Sequence, residues 1–207
     1  MRAGRAQLAE RGADKLSLRE IARELGVASS AVYRYVSSRD ELLTVLLIDS
    51  FTSLADAVEA SVAGLESSPA ERLRTIAESM RAWGLEHPAQ WALLYGSPVA
   101  GYSAPETTVS SGIRVMRLVA EILAQGSRSA SAPGLSAEYE KALRDAIEET
   151  GLAMDPSTLA EALVAWMSLV GVISGEVFGQ LGAELAAFGQ ESLDREVRSI
   201  CQRFGLS

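Results

Sequence analysis

Apolar residues recur along this chain at intervals of three and four, which places them on one face of an α-helix. Two such stripes lie in its second half: Leu159, Leu163, Trp166, Val170, Ile173 and Val177, then Leu193, Val197, Ile200 and Phe204. No segment alternates apolar and polar residues between hairpin turns. All six prolines fall where a helical stripe begins or breaks. The pattern predicts an all-α fold.

The limits of these stripes predict ten helices and one flexible loop. The loop is the Gly-, Ser- and Ala-rich stretch 126–134. The helices are predicted over 2–11, 18–25, 30–36, 39–64, 70–86, 89–96, 107–126, 136–149, 157–180 and 192–204.

Charge is distributed unevenly along the 207 residues, whose net charge is −8. Residues 1–48 contain eight Lys/Arg and six Asp/Glu, a net charge of +2, and the remaining 159 residues contain 11 and 21, a net charge of −10. A cationic module joined to an acidic body is a weak indication of a polyanionic partner. We therefore divide the chain into an amino-terminal unit, 1–48, and a body, 49–207.

The single cysteine and single histidine exclude several kinds of site. Cys201 alone forms no intrachain disulfide or Cys-rich zinc site, and His87 alone forms no multi-histidine metal cluster. The motifs G-x-S-x-G and H-E-x-x-H, a phosphate-binding glycine loop and a Glu-x-x-His pair are all missing. We expect no catalytic residue, no metal and no cofactor. A helical hydrolase or a metal-dependent bundle is the disfavoured alternative.

Two stretches of the chain are candidates for a membrane-spanning helix. The uncharged run 88–105 contains three prolines, and the apolar run 162–175 has 14 residues. As a helix the second run would be about 21 Å long, less than the roughly 30 Å of a hydrocarbon core. No signal peptide is apparent at the start. The sequence predicts a cytoplasmic protein without a membrane partner.

Two short helices joined by a glycine-containing turn are predicted within the first 40 residues. Ser17 and Glu20 have the S-x-x-E spacing of a capping box, and Gly26 ends the helix that follows. A second short helix comes next, and Ser38 with Glu41 repeats the capping box before a long third helix. This is the helix-turn-helix pattern. An ordinary helical hairpin that packs its own core is the alternative.

The side chains of the second short helix favour DNA. Val32 and Val36 are spaced to face the core, which leaves on the outer surface Ser29, Ser30, Tyr33 and Arg34. Small hydroxyls allow a helix to approach bases and phosphates closely, and Arg and Tyr bond to phosphate oxygens. A solvated surface charge at Arg19, and packing within the motif at Tyr33, are the alternatives.

Residues 10–43 resemble the DNA-binding domain of the TetR family of bacterial transcriptional repressors, nearly without gaps. Gly26, Tyr33 and Arg39 lie at the family's spacing. The resemblance implies base contacts by Arg19, Ser29, Ser30, Ala31 and Tyr33, and phosphate contacts by Arg34, Tyr35 and Arg39. With the capping residue Ser17, these form the predicted DNA-binding set.

Three positions depart from the family pattern. Tyr35 replaces the usual His, Val36 replaces the usual Phe, and Ala28 replaces a frequent capping Ser. We therefore expect Ser29 to cap the second helix.

The body resembles the WHG-type carboxy-terminal domain of some TetR-family regulators. Residues 83–105 resemble its HP…LL.G.P…Y..P segment, and 165–171 its naming motif, with Val170 where His is common. The resemblance implies a cavity for a small apolar or amphipathic ligand. The candidate ligand-binding residues are Trp83, His87, Trp91, Tyr95, Tyr102, Met116 and Trp166. Alternatively these aromatic side chains are plain core, and His87 only caps a helix.

On the last two predicted helices, apolar residues cover more than one face, which predicts burial on two sides. One side would face the body's own core and the other a symmetry mate. The candidate interface residues are Leu163, Val170, Ile173, Val177, Leu193, Val197, Ile200 and Phe204. A helix-turn-helix protein needs such a dimer because its two half-sites lie about 34–36 Å apart.

These features predict a homodimeric, sequence-specific transcriptional regulator, a repressor released from a palindromic operator on double-stranded DNA by a small ligand. A helical protein-interaction adaptor that does not bind DNA is the alternative. The two differ in salt dependence, since DNA binding weakens steeply as salt rises.

Overall fold

The computed structural model describes residues 1–127 and 134–207. Most of the loop predicted over 126–134 therefore lies outside the described residues. Within the described ranges the chain forms helices and no strand, which confirms the all-α prediction. The helices are α1 (Arg2–Arg11), α2 (Leu18–Glu24), α3 (Ser29–Tyr33), α4 (Arg39–Val62), α5 (Pro69–Glu86), α6 (Pro88–Tyr95), α7 (Val109–Gly112), α8 (Arg114–Leu123), α9 (Ala137–Thr150), α10 (Pro156–Val177), α11 (Gly182–Ala186) and α12 (Gly189–Phe204).

Two regions differ in kind from the predicted helices. The helix predicted over 107–126 is divided at Ile113, whose φ of −89° and ψ of −7° separate α7 from α8. The helix predicted over 157–180 ends at Val177, and an additional short helix, α11, follows. Gly179 and Gly182 cause this second difference because both have positive φ, 62° and 76°, and bracket the break.

Serine side chains cap the starts of several helices. At α4 the Ser38 hydroxyl accepts a hydrogen bond from the Glu41 amide, 3.1 Å away. The Glu41 carboxylate accepts from the amide and hydroxyl of Ser37 instead of the Ser38 amide, so the predicted box is only half formed. These bonds hold the pKa of Glu41 below its ordinary value. The complete capping box is at α5, between Ser68 and Glu71.

A small amino-terminal core joins α1, α2 and the first half of α4. Its buried residues are Leu8, Leu16, Leu18, Ile21, Leu42, Leu43 and Leu46. Val32 and Val36 pack against it, as predicted. So do side chains from α6 and the segment after it, namely Ala89, Leu93, Val99 and Tyr102.

A larger core fills the body, where α10 packs against α5, α6, α8, α9 and α12. Trp91 on α6 is fully buried in it, and its indole Nε1 donates to the Ser174 hydroxyl on α10 at 3.0 Å. Gly84 on α5 lies directly against that indole. The position of α6 is therefore fixed by contacts with both α5 and α10.

The helix α10 changes one sequence expectation. The apolar run 162–175 by itself is too short to span a membrane, but the helix that contains it has 22 residues. An 18-residue window of that helix has a mean hydropathy of 1.6. By length and composition this helix could cross a membrane. The core helix of a folded protein has the same properties, and α10 is packed against five other helices.

We predict that Gly84→Ala destabilises the fold. A Cβ at this position would lie 2.9 Å from Cε3 of the buried Trp91 ring. Overpacking costs about 1–3 kcal/mol and outweighs the gain of about 1 kcal/mol in helix propensity, so we expect a net loss of about 1 kcal/mol in the free energy of unfolding. Urea unfolding at fixed protein concentration measures it.

The matched control is Ala82→Gly on the exposed side of the same helix. It should lose about 1 kcal/mol through helix propensity alone and leave tryptophan fluorescence unchanged. If Gly84→Ala instead raises the free energy of unfolding, the close contact with Trp91 is not a packing constraint.

Candidate nucleic-acid interface and ligand cleft

The helix-turn-helix is formed by α2, a turn and α3. Ser17 caps α2, with its hydroxyl accepting from the Glu20 amide at 3.4 Å. The Ser17 amide donates to the Gln7 side-chain oxygen at 2.7 Å, so Gln7 replaces Glu20 in the reciprocal half of the predicted box. Gly26 ends α2 with a φ of +67°, which favours glycine. These contacts fix the angle between α1 and the motif.

Most of the predicted DNA-contact residues on α2, on α3 and directly after α3 are exposed. The exposed polar members are Arg19, Ser29, Ser30, Tyr33, Arg34 and Tyr35. Tyr35 is 85% exposed and Tyr33 is 42% exposed, whereas Ala31 is half-buried. Because Tyr33 keeps much of its ring in solvent, packing inside the motif does not use the whole side chain.

Two details of α3 differ from expectation. The N-cap is Ala28, without a side-chain cap bond, so Ser29 lies in the first turn and does not cap it. The helix ends at Tyr33 instead of continuing to Val36, and the amides of Tyr35 and Val36 both donate to the Val32 carbonyl. The observed helix is therefore shorter than the predicted one at its carboxy-terminal end.

Arg39 has a structural role besides the predicted phosphate contact. Its Nη2 donates to the carbonyls of Ala13 and Asp14, both at 3.2 Å. The guanidinium therefore holds the turn between α1 and α2 against the start of α4. A second contact holds α1 against α4. Arg5 on α1 and Asp49 on α4 form an ion pair with two hydrogen bonds, at 2.6 and 2.7 Å.

Most of the predicted ligand-binding set forms a packed aromatic cluster. Ring centroids are 4.6 Å apart for Trp91 and Tyr95, 6.2 Å for Tyr95 and Trp166, and 5.0 Å for Trp83 and His87. Burial raises the pKa of Tyr95 well above its ordinary value. Met116 packs against the same core. These six side chains fill space between helices and do not line the cleft described next.

The remaining candidate, Tyr102, lines a cleft of about 510 Å³ between α4, α6, α7 and the segment 96–104. Its lining residues are Leu47, Phe51, Leu93, Leu94, Gly96, Ser97, Pro98, Val99, Tyr102, Ala104, Thr108, Val109, Gly112 and Ile113. None of these described lining residues is charged. The sequence signal for this cleft was the Gly-, Ser- and Pro-containing stretch 96–105, where helical periodicity stops.

Five of the predicted interface residues lie inside the chain's own core. Ile173, Leu193, Val197, Ile200 and Phe204 are at most 1% exposed and belong to the body core. These five residues therefore present no surface to a partner in the single chain: α12 packs its one apolar stripe against α5 and α10, and Ile173 on α10 belongs to the same core.

The other three predicted interface residues, Leu163, Val170 and Val177, are half-buried against the chain's own clusters. The exposed apolar side chains of this region are different ones. On α10, Val164 and Met167 each lie one position after a residue of the predicted stripe. Further exposed apolar side chains lie between α10 and α12, namely Phe178, Leu181, Leu185 and Phe188. We call these six residues the outer apolar surface. Large exposed apolar patches are typical of interaction sites.

Comparisons with known proteins agree with both halves of the chain. Residues 1–46 match the family model of bacterial regulatory proteins of the tetR family. Residues 73–200 match the model of the tetracyclin repressor-like C-terminal domain. The chain is 44% identical to the HTH-type transcriptional regulator Rv1816 of Mycobacterium tuberculosis strain H37Rv, over 95% of this chain and 87% of that protein.

Solved structures share the fold. The regulatory protein SCO4313 is 30% identical with a TM-score of 0.74, over 95% of this chain and 90% of that one. The regulator FadR from Bacillus subtilis, solved in complex with stearoyl-CoA, is 14% identical with a TM-score of 0.56, over 95% of both chains, and shows the fold alone.

Nothing in the described residues or in these comparisons favours an adaptor that does not bind DNA. TetR-family proteins are not a class of enzymes. On the helix-turn-helix geometry and on the two family models, the chain belongs to the TetR family and is a DNA-binding transcriptional regulator.

Proposed function

We propose that this regulator is a cytoplasmic homodimeric repressor that binds a palindromic operator and is released by a small neutral molecule in the cleft. Residues 1–48 form the DNA-contacting unit, and residues 49–207 bind the ligand and the second copy. The observation that carries the proposal is the position of the cleft. Its walls, α6 and the segment 96–104, also pack against the amino-terminal core.

We assign the DNA contacts to the exposed surface of α2 and α3. Arg19 and the start of α3, with Ser29, Ser30 and Ala31, face the bases together with Tyr33. Arg34, Tyr35 and the partly exposed Arg39 contact phosphates, while Ser17 orients α2. This division follows from the exposure of Ser29 and Ser30 at the α3 start, since direct access to base edges requires a close approach of the helix.

Arg34→Ala tests a phosphate contact, and Tyr33→Ala tests a contact near the bases. With an operator selected by the wild-type protein from a random-sequence pool, Arg34→Ala should lower the slope of log K against log salt by about 0.9 per protomer. Tyr33→Ala should lower operator affinity about five- to 150-fold, on the order of 1–3 kcal/mol. Fluorescence anisotropy of labelled duplex measures both.

The matched control is Lys141→Ala, which removes an exposed cation on α9, outside the amino-terminal unit. It should leave affinity and slope unchanged. Wild-type affinity in both variants would overturn the assignment, and a wild-type protein whose affinity does not respond to salt would overturn DNA binding through phosphates.

The chemistry of the cleft favours a neutral, mostly apolar ligand. Leu47, Phe51 and Ile113 supply apolar surface, and the hydroxyls of Ser97, Tyr102 and Thr108 supply hydrogen bonds. The phosphates of a ligand such as the stearoyl-CoA bound by FadR require cationic partners. Because no described lining residue is charged, we propose an uncharged ligand here.

Val109→Trp tests this cleft by filling it from α7. The neutral fluorescent probe N-phenyl-1-naphthylamine should bind the wild-type protein, and the variant should bind it at least about tenfold more weakly because the added ring occupies the volume. The control Ser110→Trp places the same ring on the exposed side of α7, outside the lining. Equal probe affinity in the two variants, or tighter binding of stearoyl-CoA than of the neutral probe, would contradict the proposal.

We propose that the outer apolar surface forms the dimer interface, with Leu163, Val170 and Val177 at its margin. A two-fold interface pairs the same patch on both subunits, so an apolar patch is self-complementary. The patch on α10 passes through Gly171, where a Cβ would meet nothing within 4 Å in the single chain. Such a position allows close approach of a second helix.

Met167→Glu should convert the dimer to a monomer. Met167 is 61% exposed, so the single chain should tolerate the charge, whereas two carboxylates buried near the two-fold axis would repel and lose hydration. Sedimentation velocity measures the mass, and circular dichroism should show unchanged helix content. Ala82→Glu on α5 is the charge-matched control and should remain dimeric. A dimeric Met167→Glu protein would place the interface elsewhere.

A further inference from the structure

Tyr102 is the one cleft residue with a recorded side-chain hydrogen bond to the first half of α4. Its hydroxyl lies 2.9 Å from the Thr44 hydroxyl, and its ring packs against the amino-terminal core. The Thr44 hydroxyl also lies 3.0 Å from the Asp40 carbonyl and donates to it. The proton between the two hydroxyls therefore comes from Tyr102, which donates to Thr44.

Thr44 lies on the face of α4 that continues into the cleft. Thr44, Leu47 and Phe51 are spaced i, i+3 and i+7, so they lie on one side of the helix. Leu47 and Phe51 line the cleft. Thr44 lies just beyond it, nearer to Arg39 and inside the DNA-contacting unit. A contact made at Thr44 thus acts on the end of α4 nearest the motif.

The segment that contains Tyr102 is held by fewer backbone hydrogen bonds than the helices that form the other walls of the cleft. Residues 96–105 contain no helix, and their turn is closed by the Tyr102 amide bonding to the Val99 carbonyl, with Gly101 at a φ of +74°. The helix α6, by contrast, is held by Trp91 and by Gln90, whose Nε2 donates to Ser50 at 3.4 Å. A molecule entering the cleft displaces the segment at lower cost than the helices.

We propose that Tyr102 is the positioning residue that transmits occupancy of the cleft to the DNA-contacting unit. In the empty protein its hydroxyl holds α4 through Thr44, and a molecule in the cleft displaces the ring and breaks that bond. The inference rests on the proposed function of the cleft as the ligand site. It adds the contact through which binding changes operator affinity, because a ligand acts only through a difference between two states.

A covalent probe tests this without knowledge of the natural ligand. Ser97→Cys places a thiol at the exposed rim of the cleft, in a full chain whose only cysteine is removed by Cys201→Ser. Alkylation with N-phenylmaleimide then puts a neutral phenyl group into the cleft. The same reaction at Ser110→Cys, on the outer side of α7, is the matched control.

Operator affinity is measured with and without the label, in proteins with and without Thr44→Val. Thr44 does not line the cleft, so its substitution leaves the label's surroundings unchanged. Without Thr44→Val, labelling at residue 97 should weaken operator binding at least about fivefold, the lower range of allosteric coupling. With Thr44→Val, unlabelled binding should already be weaker, and labelling should change it less than about twofold.

Tyr102→Phe should reduce the response to the label as Thr44→Val does, and the double variant should respond like either single one because all of them lack the Tyr102–Thr44 bond. Thermal unfolding should be similar in all of them, which separates positioning from a loss of fold. An equal effect of the label in the presence and absence of Thr44→Val would overturn the role of Tyr102. If the label has no effect even without that substitution, control of DNA binding by the cleft is overturned as well.

Discussion

The packing of α6 between the two cores is the constraint on which the rest of the molecule depends. This helix has eight residues and is apolar on opposite faces, so it is buried on two sides. Ala89 and Leu93 face the amino-terminal core, whereas Trp91 and Tyr95 face the aromatic cluster of the body. A rigid helix fixed to both cores transmits displacement in the body to α1, which also contacts α6. The orientation of the helix-turn-helix is therefore set by the body as well as by its own small core.

The distribution of charge complements this mechanical arrangement. A net charge of −10 on residues 49–207 disfavours contact of the body with DNA phosphates, while the net +2 of residues 1–48 is too small for strong non-specific binding. Affinity then depends on the geometry of a few contacts on α2 and α3. For the same reason, the displacement of α4 that we propose for ligand binding in the cleft need only be modest to change operator binding.

Local patterns in the sequence predicted the fold and the helix-turn-helix motif, because caps, glycine ends and apolar periodicity act within a few residues. Ser17, Gly26 and Val32 have the predicted structural roles. The same periodicity did not predict which of two apolar faces of α10 covers the chain's own core. Consecutive residues on a helix point about 100° apart. Met167 follows Trp166 by one residue, so it is exposed although the stripe that contains Trp166 and Ile173 faces the core. The aromatic residues predicted to line a cavity pack against one another where several helices meet, and the uncharged cleft lies where helical structure stops.

The helix α10 links dimerisation to the same rigid unit. Its Ser174 hydroxyl accepts the hydrogen bond from Trp91, so one side of α10 holds α6 in place. Met167 lies on the same face two turns nearer the start of α10 and is exposed together with Val164, where the second copy is proposed to bind. The two-fold axis is then connected to each recognition helix through α10, α6 and the amino-terminal core, all of which are densely packed. In such a series of rigid contacts, the separation of the two α3 helices changes only where a segment can yield. The segment 96–105 satisfies that condition because it lines the cleft without helical hydrogen bonds, so under the proposed function a ligand too small to displace a helix alters DNA binding through this segment.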